Sequence, residues 1–278
     1  MHTCPSCGTE TDGEYCPTCG EHLVDPERYY ATRSLLKRLG EEAFGLDTRL
    51  GRTAKLLIAK PGALTAEYLR GARKPYVRPV RLFLLVNLVF FLVGDRTGFM
   101  PWTLELATKR AAFAERVEER VRATGVERAV FEQRFNQVAS QQKRTVLLFL
   151  IPAFAGVLAL LYWRRHRSYV VHFVFATHFF AFVLVSFLSY VAAMLVLLLL
   201  AYLIPILGGI VQVINGDLGL ALVIPALWFG YLYFSMRRAY DEPRGPALLR
   251  SFAALVLVLA LTTFMYQRLV FELALWLA

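Results

Sequence analysis

The stretch VHFVFATHFFAFVLVSFLSYVAAMLVLLLLAYL, Val171 to Leu203, carries no Asp, Glu, Lys or Arg in 33 residues. A helix needs about 20 predominantly apolar residues to cross a hydrocarbon core of roughly 30 Å. This run exceeds that length, and Ser186 to Ser189 offers no turn chemistry, so it reads as one span rather than a hairpin. Working outward, Val146 to Trp163, Leu218 to Met236 and Leu248 to Met265 are further apolar runs of spanning length. A mean hydropathy of +0.47, with 57% apolar residues, departs from soluble-domain composition in the same direction.

A fifth run, Leu82 to Val93, is shorter and closes on Gly94-Asp95-Arg96; it reaches across a bilayer only if Arg78 and Arg81 snorkel. Charge asymmetry favours counting it. Arg164-Arg165-His166-Arg167 and Arg237-Arg238 mark cytoplasmic loops, while Leu203 to Leu218 contains no Lys or Arg. Five spans put the basic segment before residue 81 on that same side; four would put it outside. The expected fold is therefore an all-α integral membrane protein with about five transmembrane helices, at about 81–97, 145–163, 170–203, 218–236 and 248–267 of a helical domain covering 81–278. Met1-His2-Thr3-Cys4 lacks the basic start and apolar core of a signal peptide, so the N-terminus is expected to be retained, cytoplasmic, with the C-terminus periplasmic.

All four cysteines lie in the first twenty residues. Cys4-Pro-Ser-Cys7-Gly and Cys16-Pro-Thr-Cys19-Gly are near-identical knuckles, each setting two thiolates on a tight turn, and two such turns complete a tetrahedral site. A structural Zn²⁺ on Cys4, Cys7, Cys16 and Cys19 is expected, in a zinc ribbon over residues 1–24. The eight residues Gly8 to Tyr15 suffice for one short hairpin, with Asp12-Gly13 as its turn. So small a unit has little core, and metal binding must supply its folding energy. Redox or disulfide pairs are the competing readings, but no thioredoxin-like pattern surrounds them. His2 and His22 flank the site as substitute ligands. A closed Cys4 set leaves no open coordination position, which suits docking or support rather than catalysis.

Residues 25–80 form a basic amphipathic connector, expected at the cytoplasmic membrane surface. Leu35, Leu36 and Leu39, then Leu56 and Leu57, recur at helical spacing among Arg and Lys. One helix is predicted to end near Ala59, break at Pro61-Gly62, and resume from Ala63 to Arg70. Arg70, Arg73, Lys74, Arg78 and Arg81 are placed to meet anionic lipid headgroups, each worth about 1 kcal/mol near such a surface. No nucleic-acid recognition motif accompanies the net charge of +10, so nucleic acid is disfavoured as a partner.

The run Phe44-Gly-Leu46-Asp47, then Thr53, Pro61-Gly62, Glu67-Tyr68-Leu69, Gly71, Arg73, Tyr76 and Pro79 before an apolar span resembles a bacterial inner-membrane family of unknown function. That family pairs an N-terminal zinc ribbon with a multi-span helical membrane domain; Lys60 and Ala72 depart from its form. The resemblance implies a location in the bacterial inner membrane and adds no mechanism.

Between the first two spans, residues 102–143 are read as a helical periplasmic segment. Phe113, Val117 and Val121, then Val130, Phe131, Phe135 and Val138, fall at helical intervals on either side of Gly125, a break between two helices. In the membrane region His178 lies about 16 Å beyond Arg167 and His172 about 7 Å, on faces about 120° apart. An intramembrane ionisable residue is a functional candidate by default. The structural reading sets His172 among headgroups and hydrogen-bonds His178 to Asn87, Ser186 or Ser189. His172, His178 and Asn87 are thus the possible intramembrane polar site. Pro152, Pro205 and Pro225 are candidate kinks.

No HExxH, nucleophile elbow or phosphate loop is present in the sequence. The expected function is a non-enzymatic scaffold or regulator whose cytoplasmic ribbon docks a protein partner. A transporter, channel or proton relay using the membrane histidines is the alternative. A membrane enzyme acting on lipid-linked substrates would have to draw on His166, His172 and Asp241-Glu242.

Overall fold

The computed structural model describes residues 2–3, 9–12, 16–18, 49–70, 75–97, 103–165, 167–204 and 217–278, which divide into two compact units, Met1–Arg52 and Thr53–Ala278. In the first unit β1 (His2–Thr3) pairs antiparallel with β2 (Glu10–Thr11), His2 opposite Thr11 and Thr3 opposite Glu10. Much of the expected hairpin over Gly8 to Tyr15 lies outside the described residues. Gly13, the expected turn residue, lies outside the described residues, as do Cys4, Cys7 and Cys19.

The second unit is helical. Helical residues 53–59 lead through Pro61-Gly62 into α1 (Ala63–Leu69), followed by α2 (Pro79–Thr97), α3 (Leu104–Thr108), α4 (Ala111–Thr124), α5 (Arg128–Leu161), α6 (Tyr169–Leu203), α7 (Asp217–Ala239), α8 (Arg244–Ala260), a π turn (Leu261–Tyr266) and α9 (Gln267–Leu277). Among the described residues, three continuous helices are long and apolar enough to cross a membrane: Arg128–Leu161, Tyr169–Leu203 and Arg244–Leu277. This fits a membrane protein, as does a surface bearing Leu88 and Leu92 on α2 and Leu195, Leu199 and Leu203 on α6. α2 and α7 lie over two further expected spans, with Arg81, Asp95 and Arg96 on α2 and Arg237 and Arg238 on α7 shortening their uncharged stretches.

α2 and α5 flank α6; α7 packs on α8, and α1 sits against α6 and α7. Aromatic rings fill the centre, with Phe154, Phe175, Phe179 and Phe180 fully buried. Ser168 caps α6, its Oγ accepting from the Val170 N–H at 3.4 Å. Helices α5 and α7 run through Pro152 and Pro225, whereas Pro205 falls outside the described residues.

Two helices are longer than the sequence pattern predicts. α5 joins the second half of the 102–143 segment to the following apolar run without a break, because Gln141-Gln142-Lys143-Arg144 contains only residues a helix tolerates. At 34 residues it reaches about 51 Å, well past a hydrocarbon core. The last apolar run continues through the π turn into α9, which packs on the first half of α5. Val117 of α4, Phe131 and Phe135 of α5, and Val270 and Phe271 of α9 form a second core there, with Phe113 stacked on Phe271 at 4.0 Å. Gly125 ends α4 at φ 63°, the break expected from its sequence.

Pro61-Gly62 fixes how the connector meets the bundle. Gly62 has φ 77°, and a Cβ built on it would stand 2.6 Å from the Ser235 Cα of α7. Neither the backbone conformation nor the close approach tolerates a side chain. Gly125 also has positive φ but open space around it, and Gly230 has open space and no such φ. Left-handed backbone costs an L-residue roughly 1–2 kcal/mol, and helical Gly→Ala returns up to about 1 kcal/mol. The order of melting temperatures in detergent is therefore expected to be Gly230→Ala above Gly125→Ala above Gly62→Ala, checked by loss of the monodisperse elution peak on heating. Gly62→Ala melting with or above Gly125→Ala would refute the backbone contact.

Candidate functional site

The turn after α7 assembles a buried polar cluster. The Glu242 N–H donates to the Arg237 carbonyl at 3.1 Å, the long-range bond of a Schellman closure, with Asp241 in the left-handed position at φ 52°. Asp tolerates that conformation better than most residues. The closure turns Tyr240 and Glu242 inward, and the Glu242 side chain is wholly buried. Arg250 of α8 forms an ion pair with the Glu242 carboxylate, Arg165 stands 3.6 Å from it, and the Tyr162 hydroxyl donates to Oε2.

A second layer continues from the tyrosines. Tyr162 stacks on Tyr240 at 4.3 Å, and the Arg250 guanidinium lies over the Tyr162 ring at 4.7 Å. His172 Nδ1 and the Tyr240 hydroxyl are 2.9 Å apart, and the Tyr240 carbonyl accepts from Arg165 at 3.2 Å and Arg167 at 3.4 Å. Burial pushes the Tyr240 phenol above its ordinary range, keeping it a neutral hydroxyl. The sequence candidates His172 and Glu242 are thus brought into one cluster, joined by two tyrosines; His166 lies outside the described residues. His172 is buried among protein groups rather than among headgroups.

Six residues further along α6, His178 is also buried, and its Nδ1 is 2.8 Å from the Thr65 Oγ1 of α1. The partner is neither Asn87, Ser186 nor Ser189. Ser186 instead accepts from the Trp228 indole at 3.0 Å and donates to the Val183 carbonyl at 2.7 Å. Tyr68 approaches the His178 ring edge-on at 6.4 Å. His178 Nε2 and Asn87 Oδ1 are buried without a hydrogen-bond partner among the described residues.

Connector contacts extend this site. Thr53, Leu57, Leu64 and Thr65 are buried; the Val77 N–H donates to Thr53 Oγ1 at 3.0 Å, and Arg238 donates to the Pro61 carbonyl at 2.6 Å. α1, which carries Leu64 and Thr65, is received by helices α6 and α7, while Leu35, Leu36 and Leu39 lie outside the described residues. Arg70 is exposed and paired with Glu67 at 2.5 Å, Arg78 and Arg81 are exposed, and Arg73 and Lys74 lie outside the described residues. Of the four expected zinc ligands, Cys16 alone is described, and it is buried.

Sequence reasoning missed Tyr162, Tyr240, Arg250 and Thr65. Arg250 carried a usable signal, being a cation inside the expected 248–267 span and therefore in need of a counter-charge. The other three are neutral side chains whose partners are distant in sequence, and nothing local marks them.

Residues 47–91 match a family described as a protein of unknown function (DUF3667). The matched stretch includes the connector contacts from Thr53 to Val77 and ends within α2. No curated protein and no solved structure matches the chain.

Proposed function

We propose that the protein is a non-enzymatic scaffold or regulator of the bacterial inner membrane, in which a cytoplasmic zinc ribbon docks a protein partner and the connector couples that event to the bundle. One observation carries this reading: the connector is seated inside the bundle, with Gly62 on the Ser235 backbone and Thr65 bonded to His178. A tether that merely held the ribbon near the membrane would need neither contact. Support for the ribbon comes from the strand pair closing across Cys4 and Cys7, the burial of Cys16, and a donor set of four thiolates, which suits Zn²⁺.

Five spans with the N-terminus inside is the proposed topology, counting α2 and α7 with the three longer helices. Arg164, Arg165, Arg167, Arg237 and Arg238 then share the cytoplasmic side, where Arg70, Arg73, Lys74, Arg78 and Arg81 meet anionic headgroups. The Glu242 cluster acts as a structural lock in this reading, because the carboxylate, both tyrosine hydroxyls and His172 Nδ1 are engaged with one another.

The alternative, a transporter, channel or proton relay, draws on the unpartnered His178 Nε2 and Asn87 Oδ1. Ion or solute flux in proteoliposomes separates the two: flux lost on His178→Ala but kept after deletion of residues 1–24 favours the alternative.

Four outcomes test the proposal. Alkaline phosphatase fused after Ala278 is expected to be active and a fluorescent protein fused there dark; the reverse pattern refutes an outside C-terminus. Purified full-length protein is expected to hold about one zinc per chain by elemental analysis, lost in Cys4→Ser and Cys19→Ser. The same variants, though inserted normally, should lose partners crosslinked in intact cells, and retention of every partner would overturn docking by the ribbon. Breaking a buried ion pair costs about 3–5 kcal/mol, so Glu242→Ala is expected to lower the melting temperature far more than Arg70→Ala; equal shifts would refute the lock.

A further inference from the structure

A cavity of about 260 Å³ lies among α2, α5, α6, α7, α8 and the π turn, reaching along α6 from Phe180 to Phe187. Its size is near the lower bound of about 300 Å³ for small-molecule pockets. The inner wall is aromatic and aliphatic, with Phe180, Leu184, Phe187 and Trp228. Polar side chains gather elsewhere on the lining, from Lys143 on α5 and from Thr262, Thr263, Tyr266 and Gln267 on the π turn and start of α9. A π turn adds a residue to a helical turn and recurs at functional sites. Here it carries three of those polar side chains to the cavity.

Position along α5 gives the depth. Lys143 is eighteen residues from the end of α5 at Leu161, about 27 Å along the axis at 1.5 Å per residue, close to one hydrocarbon thickness. Its ammonium therefore stands at the far interface when the Arg164–Arg167 end stands at the near one. Lys143 Nζ is 3.3 Å from Asp95, and Arg144 also pairs with Asp95. Two cations share one carboxylate, leaving an excess positive charge beside the polar end of an otherwise apolar cavity. The Lys143 side chain is only 10% exposed, and its ammonium lies 5.6 Å from the Phe91 ring centroid. Asp95 answers only one of these two cations, and an unanswered charge beside an apolar cavity is costly.

We propose that this cavity binds one acyl chain of an anionic phospholipid, with the chain along Phe180, Leu184 and Trp228 and the phosphate at Lys143 and Arg144. The occupant follows from an apolar interior of chain-like chemistry, a polar end at interfacial depth, and the sign of the excess charge there. A neutral lipid would fill the interior but leave that charge unanswered; a soluble anion would answer it but leave the interior empty.

Trp228 reports occupancy directly, because it lines the cavity and is 5% exposed, which shields it from bulk lipid. The test uses full-length protein carrying Trp102→Phe, Trp163→Phe and Trp276→Phe in phosphatidylcholine vesicles doped with a small fraction of chain-brominated lipid. Brominated phosphatidylglycerol is expected to quench Trp228 with about fivefold higher apparent affinity than brominated phosphatidylcholine. Lys143→Met should abolish that preference, and Val183→Phe, which fills the cavity, should abolish quenching by both lipids while leaving monodisperse elution intact. Equal quenching by the two lipids in the parent, or quenching unchanged by Val183→Phe, overturns the proposal. Should Lys143→Met fail to elute as a folded species, Arg144→Gln gives the headgroup readout: a reduced preference supports the site, and an unchanged one refutes the phosphate position.

Discussion

Because its side chain is wholly buried, the Glu242 carboxylate must be neutralised by protein, and that requirement organises the end of the bundle nearest the connector. Arg250 supplies the counter-charge from α8, Tyr162 supplies a hydroxyl from the end of α5, and Arg165 adds a second cation from the turn that follows. Each donor is useful only if its helix ends at the right height and angle. Tyr240, carried by the same turn as Glu242, extends the constraint to α6 through His172. Four helices are thereby fixed at one level by groups that cost several kcal/mol each to bury alone. Generic apolar packing between helices would not specify that level, because one leucine-rich face slides over another with little penalty.

The connector depends on this fixed end. Arg238, at the close of α7, donates to the Pro61 carbonyl just before the Schellman turn begins. Gly62 then meets the α7 backbone at Ser235, an approach that leaves no room for a side chain. Only from there can Thr65 reach His178. The order of dependence runs from a buried charge, to a helix terminus, to a glycine contact, to a hydrogen bond between connector and bundle. Sequence similarity to the DUF3667 family covers residues 47–91, the stretch holding the connector's half of these contacts.

How much of this was legible before the structure depends on whether the signal was local. The run from Val171 to Leu203 announced α6, because length and absence of charge need no partner to interpret. Gly125 and Pro61-Gly62 announced breaks, since backbone conformation is a property of the residue itself. The continuity of α5 was missed because Lys143 and Arg144 look like the edge of a membrane run although a helix passes through them readily. α9 was missed for a related reason: Phe271 and Val270 show an apolar face, but its receiver, Phe131 and Phe135, lies far away in the chain. His178 is a candidate by its depth alone, but its partner Thr65 lies in the connector and not among the polar residues of the membrane runs. Thr65 belonged to a segment read as surface, and its pairing becomes visible only once α1 is seen against α6.

The two ends of the bundle differ in what holds them, and the difference bears on where motion can occur. Near the connector, ion pairs, stacked tyrosines and a glycine contact tie several helices directly to one another. Toward the other end, α6 from Leu195 to Leu203 presents mostly exposed leucines, and nearer the middle a cavity lies among α2, α5, α6, α7, α8 and the π turn. Local opening follows low contact density and sparse burial, so the helices should separate more readily at that end than at the Glu242 end.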